Sequence, residues 1–451
     1  MSEAVTILLP EKVRYIINRI TQAGYEAYAV GGCVRDSILG RTPDDWDITT
    51  SASPCQVKRL FERTLDTGLK HGTVTVMLDK EGFEVTTYRI DGNYEDGRHP
   101  KEVTFTASLL EDLKRRDFTV NAMAYNDQAS LVDAFDGIKD LRAGIIRCVG
   151  SPRERFSEDA LRMLRAIRFS AQLGYRIEPQ TQKAIEELAP NLRLVSAERI
   201  QAELVKLVTS PHPENLRTAY QTGVTKIIMP EFDSCMETAQ NNPHHCYSVG
   251  EHILKSMQEI APDKILRLAM LFHDIGKPRT QTTDEKGIHH FHGHPALSAE
   301  MARCILKRLK FDNYTVSMVT NLVKYHDQKV LPNPRYVRRA VMEIGEDIFP
   351  LLYDIKLADL RAQSCFQRTE KKESLEAIYQ VYRQIMKEGQ CVGLKTLAVS
   401  GRDLIDQAGM KPGREIGETL QKLLDMVIDN PSLNARETLL KIVMNHTPEF
   451  K

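Results

Sequence analysis

The stretch VGGCVRDSILGRTPDDWDITT, Val30 to Thr50, limits what this chain can fold into more than any other. The apolar run EAYAV leads into Gly31 and Gly32, so it reads as a short strand ending where the backbone can approach a ligand with no Cβ in the way. A nine-residue amphipathic piece follows. A helix starting there aims free N–H groups and the positive end of its dipole at an anion, commonly a phosphate. After a turn at Arg41–Asp44, a second short strand is predicted to carry Asp45 and Asp47, whose i, i+2 spacing projects both carboxylates to one side. Two such groups repel unless a cation lies between them, and hard oxygen ligands suit Mg²⁺. A glycine pair alone also fits a plain turn, and DDWD alone an acidic loop. On consecutive elements they make a phosphate cradle beside a metal-binding pair, the parts of a two-metal phosphoryl-transfer site.

With those residues in view, the stretch resembles the nucleotidyltransferase superfamily that includes DNA polymerase β. More narrowly, GGxVRDxxLGRxxxDxDIxT resembles the class II tRNA nucleotidyltransferase and bacterial poly(A) polymerase family.

Around this stretch, Val13, Ile16, Ile17 and Ile20 predict a helix over 11–23, and Pro54 to Arg63 a second one capped by Ser53. GTVTVML and FEVTTYRI flank the turn-rich DKEG and predict a β-hairpin. Within it Glu84 alternates with Phe83 and Val85. If the apolar face packs on helices, Glu84 faces Asp45 and Asp47 as a candidate third carboxylate; the alternative is a solvent-facing strand residue. The polar loop 91–101, DGNYEDGRHPK, carries Arg98 and His99, and the resemblance implies a mobile loop near the nucleotide. In LKRRDFTVNAMAYN the spacing of Val120, Met123 and Ala124 suits a short helix begun by Arg116 and Asp117. RRDFTxNAxA resembles the family's second motif, which implies triphosphate and sugar contacts from Arg116, Asp117 and Asn121.

Between Arg142 and Arg176, eight arginines stand against three carboxylates, a local basic excess in a chain whose Lys+Arg and Asp+Glu totals are both 61. SEDALRMLRAIRFSAQLGY reads as one amphipathic helix that buries Leu161, Leu164, Ile167 and Ala171, is capped near Ser157 and ends at Gly174. Asp159 and Arg162 share a face of it. One reading is a helix salt bridge. The other is base recognition, in which the carboxylate accepts from an exocyclic amino group and the guanidinium donates to a ring acceptor. C and A share that pattern, and U and G reverse it. Glu158, Asp159 and Arg162 match the family's EDxxR template motif, and the resemblance extends nucleotide binding to Arg165 and Arg168. Arg199 and Glu203 match the next motif, which braces the template helix; from spacing alone they form a helix salt bridge.

Beyond Pro211 the strand signal vanishes and the chain reads helical to its end. His252, the adjacent His273 and Asp274, His294, His326 and Asp359 follow in order. Histidine is the commonest transition-metal ligand, and a His-Asp pair at a helix end offers two ligands to one point. The ordered set resembles the HD phosphohydrolase domain. The resemblance implies His252, His273, Asp274 and Asp359 as the core metal set, with His294 and His326 for a second ion, the metal being unspecified. An HD fold kept as an RNA-holding scaffold is the other reading. In the tail, the turn region SGRDLIDQAGMKPGREIG places Lys411 and Arg414 near a helix start, suited to an RNA backbone or to a plain helix–helix turn.

Eight scattered cysteines with no C-x-x-C argue against a zinc ribbon or a disulfide framework and for a reducing compartment. No apolar run approaches the length of a membrane span, and MSEAVTILLPEK has no basic segment before its apolar patch, so a cytoplasmic protein off the membrane is expected. The expected architecture is an α/β nucleotidyltransferase palm with a mixed β-sheet over 1–145, followed by all-α regions. These are a base-selecting neck over 146–235, an HD region over 236–371 and a tail over 372–451. The resemblance implies addition of CCA to the tRNA 3′ end from CTP and ATP. Mg²⁺ would sit on Asp45 and Asp47, Gly31, Gly32, Arg35 and Arg116 would clamp the triphosphate, and no obligate protein partner is implied. Poly(A) addition, or addition of CC or A alone, shares these motifs. HD-type hydrolysis of RNA-end or cyclic phosphates, and RNA binding without turnover, are the alternatives from other classes.

Overall fold

The computed structural model describes residues 5–92 and 103–445, so Arg98, His99 and most of the polar loop expected at 91–101 lie outside the described residues. The chain forms two compact units, Met1–Pro230 and Glu231–Lys451.

The first unit opens with α1 (Glu11–Gln22), which buries Val13, Ile16, Ile17 and Ile20 as their spacing predicts. There follow β1 (Ala27–Val30), α2 (Gly32–Ile38), β2 (Ile48–Thr50) and α3 (Pro54–Leu60). Next come β3 (Thr64–Gly68), β4 (Thr73–Leu78), β5 (Glu81–Thr87), β6 (Arg89–Asp91) and β7 (Val103–Phe105). The sheet region closes with α4 (Leu109–Lys114), β8 (Met123–Asn126) and β9 (Ser130–Asp133). Seven strands form one sheet in the order β3-β4-β5-β2-β1-β8-β9. In it β2 and β5 run parallel and the other neighbours antiparallel. Antiparallel pairing of β1 with β2 brings the end of one strand to the start of the other: the Val30 N–H donates to the Asp47 carbonyl at 3.0 Å. The glycine pair and the acidic pair are thereby neighbours.

Four local expectations are corrected. Asp45 and Asp47 precede β2 rather than lie in it, because cross-strand partners on both sides begin at Ile48. The hairpin turn is the two residues Asp79 and Lys80, with φ of 48° and 75°, and Glu81 and Gly82 already belong to β5. Such a pair of left-handed residues matches the right-handed twist of the flanking strands. α3 begins at the Ser53 cap but ends at Leu60; Phe61 turns extended and is buried, leaving Arg63 outside the helix. Val120, Met123 and Ala124 are not helical beyond one 3₁₀ turn at Thr119–Asn121. Met123–Asn126 is β8, buried on both faces between β1 and β9. A short apolar run buried on both faces carries no period that separates strand from helix.

The rest of this unit contains α5 (Gly137–Ala143), α6 (Pro152–Glu158), α7 (Leu161–Leu173), α8 (Pro179–Leu188) and α9 (Ala197–Val208). The single helix expected from Ser157 is two. Asp159 is extended (φ −143°, ψ 104°), Ser157 lies inside α6, and the Asp159 Oδ1 accepts the Leu161 N–H at 3.1 Å. A side chain that satisfies an orphan N–H at a helix start competes with continued helix. α7 buries the predicted Leu161, Leu164, Ile167 and Ala171, and Gly174 ends it at φ 72°.

Among the described residues the second unit is mostly helical, with a short antiparallel ribbon, Thr282–Thr283 with His289–His290, too short to leave a strand signal in sequence. Helix Arg368–Lys387 runs unbroken through the 371/372 boundary expected between HD region and tail. In the tail, Leu404, Leu423, Val427 and Leu439 share one apolar cluster.

Candidate functional site

In the first unit a cavity of 760 Å³ is lined by Gly31, Gly32, Arg35, Asp45, Asp47, Arg116, Asp117, Asn121, Arg165 and Arg168. Ten predicted residues from three stretches of sequence thus share one space. Gly31 is required there twice over: its φ is 85°, and a Cβ would meet a terminal nitrogen of Arg116 at 3.0 Å. Arg35 donates to Asn121 Oδ1 at 2.6 Å, Asn121 donates to Asp117 Oδ1 at 3.2 Å, and Arg165 donates to Asp117 Oδ2 at 2.6 Å. This relay fixes the two motifs against α7. The guanidinium of Arg168 stacks 3.7 Å from the Phe169 ring centroid, so a third cation is pinned in place. Arg116 lies 3.6 Å from the buried Asp112, and its Nε is buried without a hydrogen-bond partner.

Glu84 lies near the acidic pair: it immediately precedes Val85, the cross-strand partner of Ile48, and feels the charges of Asp47 and Asp45. Burial raises the Asp47 pKa, Arg116 opposes that, and Asp45 adds to it. Glu84 is raised by burial and then by Asp47 and Asp45. With Asp47 and Glu84 both raised by burial and by acidic neighbours, the three carboxylates form a site a divalent cation would relieve. Asp117 behaves oppositely: burial raises it, but Arg165 outweighs burial and holds it down to about 2.

Asp159 and Arg162 line a smaller hollow of 260 Å³ that shares Arg116, Asp117 and Arg165 with the main cavity. Their side chains take hydrogen bonds from, or give them to, other residues. Arg199 clasps Asp159 through two bonds of 2.7 and 3.2 Å, while Arg162 donates to Glu158 at 2.6 Å and to the carbonyls of Arg155 and Arg115 at 3.2 Å. Among the described residues the Arg199–Glu203 helix salt bridge is absent. Glu203 instead accepts from Arg168, both of them buried. An i, i+4 pair on an exposed face gains only tenths of a kcal/mol, about 0.2–0.5, so reaching across to α7 wins.

In the second unit His252, His273, Asp274, His294, His326 and Asp359 come together, three of the histidines at or just past helix ends. Each imidazole spends Nδ1 on a backbone carbonyl: His252 on Ala362, His273 on Met270, His294 on Phe291 and His326 on Val323. A carbonyl only accepts, so Nδ1 carries the proton in neutral His273, His294 and His326 and leaves Nε2 with its lone pair; His252 Nε2 lies 2.9 Å from Asp359 Oδ1, another acceptor. The Nε2 atoms face each other at 3.3 Å, in the pairs His252–His273 and His294–His326. Between the pairs sits Asp274, wholly buried. No hydrogen bond of normal geometry reaches its oxygens, although Lys277 Nζ is 2.7 Å from one of them. Opposed ring nitrogens and orphaned carboxylate oxygens fit divalent metal, with Asp274 shared between two ligand sets. Burial lowers the His273 pKa, but Asp274, Asp359 and the Met270 carbonyl together raise it above the ordinary imidazole value; burial pushes His326 down to about 3. The sequence reading missed His245, whose ring lies 5.0 Å from that of His252 with its Nδ1 buried and unpartnered. The run His244–His245 was its one signal.

Residues 27–147 match the family described as Poly A polymerase head domain, 174–236 the one named for an RNA and SrmB-binding site of polymerase A, and 279–443 that of tRNA nucleotidyltransferase domain 2. A CCA-adding enzyme of Levilactobacillus brevis is 36% identical over 437 residues, covering 96% of this chain and 97% of that one. The chain belongs to the CCA-adding enzyme family. The CCA-adding enzyme of Limosilactobacillus reuteri strain DSM 20016 is 34% identical over 442 residues, 97% of each chain. Among solved structures, the Bacillus stearothermophilus CCA-adding enzyme in complex with CTP superposes with a TM-score of 0.73 at 29% identity, over 98% of this chain and 99% of that one. The Thermotoga maritima CCA-adding enzyme complexed with tRNA shares the fold, with a TM-score of 0.59 at 21% identity over 97% and 96% of the two chains. As a CCA-adding nucleotidyltransferase the chain has the expected architecture, a mixed sheet with helices followed by helical regions.

Proposed function

We propose that the chain adds C, C and A in turn to the 3′ end of tRNA from CTP and ATP, in the 760 Å³ cavity of the first unit. The observation that carries this reading is the meeting of the Asp45–Asp47–Glu84 face with the Gly31–Arg116 cradle beside Asp159 and Arg162. Gly31, Gly32, Arg35 and Arg116 hold the triphosphate. Asp117 and Asn121 orient the sugar, and Arg165 and Arg168 complete the basic wall. The RNA 3′-oxygen attacks the α-phosphorus, the bond to the bridging oxygen of the β-phosphate breaks, and pyrophosphate leaves. Asp45 and Asp47 would hold Mg²⁺ with Glu84 as a third carboxylate; the bound metal lowers the pKa of the attacking hydroxyl and offsets charge at the phosphate. Asp159 accepts from the amino group of C or A, Arg162 donates to the neighbouring ring acceptor, and Arg199 keeps Asp159 aimed.

The test is incubation with Mg²⁺ and tRNA lacking its last three nucleotides, with CTP and ATP given separately and together. Extension that stops at three nucleotides, and only with both present, supports the reading. A long ladder with ATP alone would make it a poly(A) polymerase, and a stop at two, or a need for tRNA already ending in CC, a partial adder.

The convergence of four imidazoles on the orphaned Asp274 oxygens favours a second activity, metal-dependent hydrolysis of phosphate esters in the second unit. His252, His273, Asp274 and Asp359 would hold one ion, and Asp274, His294 and His326 another. We divide the work among a palm (1–145), a base-selecting neck (146–235), the HD region and the tail. We place the protein in the cytoplasm, a reading supported by its eight free cysteines and by the lack, among the described residues, of a helix long and apolar enough to cross a membrane.

A further inference from the structure

Beside the His–Asp cluster of the second unit lies a cavity of 660 Å³, and two of its lining residues, His326 and Asp359, belong to the cluster. Its walls are of two kinds. Phe349 and Tyr379, whose rings stack at 5.3 Å, form an apolar surface with Leu352 and Leu331. On the Asp359 side stand two ammonium groups. Lys356 Nζ donates to the Gln328 carbonyl at 2.7 Å. Lys371 Nζ donates to Gln363 Oε1 at 3.1 Å, and the Gln363 amide in turn donates to both Asp359 oxygens at 3.1 and 3.2 Å. Leu331 is 60% exposed, so the cavity opens to solvent at its apolar end.

Cations beside a metal-ligand set suit the oxygens of a phosphate, and aromatic and aliphatic walls suit an apolar body joined to it. Inorganic phosphate or polyphosphate would make no use of the apolar walls. We propose that this cavity is the substrate pocket of the His–Asp centre, that Lys356 and Lys371 bind the phosphate, and that the ligand is a phosphate ester with an aromatic or aliphatic body. The proposal rests on the reading of the cluster as a phosphohydrolase centre. In the hydrolysis, a water oxygen forms a new bond to phosphorus, the ester P–O bond breaks, and the departing alcohol oxygen takes a proton. The two lysine side chains hydrogen-bond the non-bridging oxygens and offset their charge.

The test uses the full chain freed of metal with a chelator, titrated by calorimetry with p-nitrophenyl phosphate and with inorganic phosphate. The aryl ester is expected to bind about tenfold more tightly than phosphate, and Lys356→Met or Lys371→Met to weaken it about tenfold each, the factor a charged hydrogen bond contributes. Leu331→Glu, at an exposed position, should erase the preference for the aryl ester. Equal affinity for ester and phosphate, or unchanged binding by folded Lys371→Met, overturns the proposal. Release of p-nitrophenol with added Mn²⁺, Mg²⁺, Co²⁺ or Zn²⁺ separates pocket from centre. Release that needs His273 but neither lysine leaves the hydrolase reading standing and the pocket refuted. Lysine-dependent binding without release by any of these metals supports the pocket and refutes the hydrolase.

Discussion

At the scale of single residues, the acidic pair was legible because two aspartates one residue apart have few other reasons to follow a glycine pair. The cavity itself was not. Arg35 meets Asn121 across more than eighty residues, and no local spacing encodes that link of the relay on to Asp117. Asp47→Ala is expected to lower kcat for nucleotide addition about 10³-fold, the factor that about 4 kcal/mol of lost transition-state stabilisation gives, with tRNA binding little changed. A filter-binding assay beside single-turnover kinetics checks both halves. Asp117 carries a pH dependence of stability. Its pKa is lowered to about 2 in the fold, against an ordinary carboxyl near 3.9, so its contribution is full above about pH 4 and is lost as pH falls through 2. Urea unfolding should show the wild type's advantage over Asp117→Asn shrinking by about 2 kcal/mol from pH 5 to pH 2. A constant advantage would mean that Arg165 does not depress this carboxyl.

At the scale of elements, periodicity succeeded where one face is buried and failed where both are. α1 and the buried stripe of α7 follow their apolar spacing, whereas β8 is apolar on both sides and passed for a helix. The break between α6 and α7 was invisible because it depends on Arg199 holding Asp159 from another helix. That break has a functional consequence: Asp159 stands outside regular helix, clasped by Arg199. Arg162→Ala should therefore cost about 1–3 kcal/mol of discrimination against UTP and GTP, read as ratios of kcat/KM, with triphosphate binding weakened less. Arg199→Ala should shift the same ratios in the same direction by freeing Asp159. Unchanged ratios in Arg162→Ala would remove the template role. The β4–β5 turn offers a stability test of a different kind. Lys80 holds φ 75° at a position glycine occupies without strain, so Lys80→Gly should stabilise the first unit by about 0.5 kcal/mol, visible as a higher Tm.

At the scale of the whole molecule, the chain joins an α/β unit built for one anionic chemistry to a helical unit with its own charged centre. The order of the histidines and aspartates announced that centre. What order alone does not convey is that Asp274 stands between two pairs of imidazoles, or that every ring is oriented by a backbone carbonyl. Those carbonyl bonds are made by the fold itself, so the ligand set is preassembled and a metal that binds it stabilises the folded second unit alone. A free ion at a hundred times its Kd adds about 2.7 kcal/mol to whichever unit binds it. Thermal unfolding of the full chain should then show a transition that moves up on adding divalent metal and back down with a chelator, while nucleotide addition by the first unit is measured in parallel. His326→Ala, which removes one ligand of the second ion's set and spares the first, should reduce the upward shift and leave addition at the wild-type rate. If the variant kept the whole shift, the site at Asp274 would not use His326. If it lost addition as well, the two units would be coupled through the centre, and the independence inferred from their separate chemistry would fail.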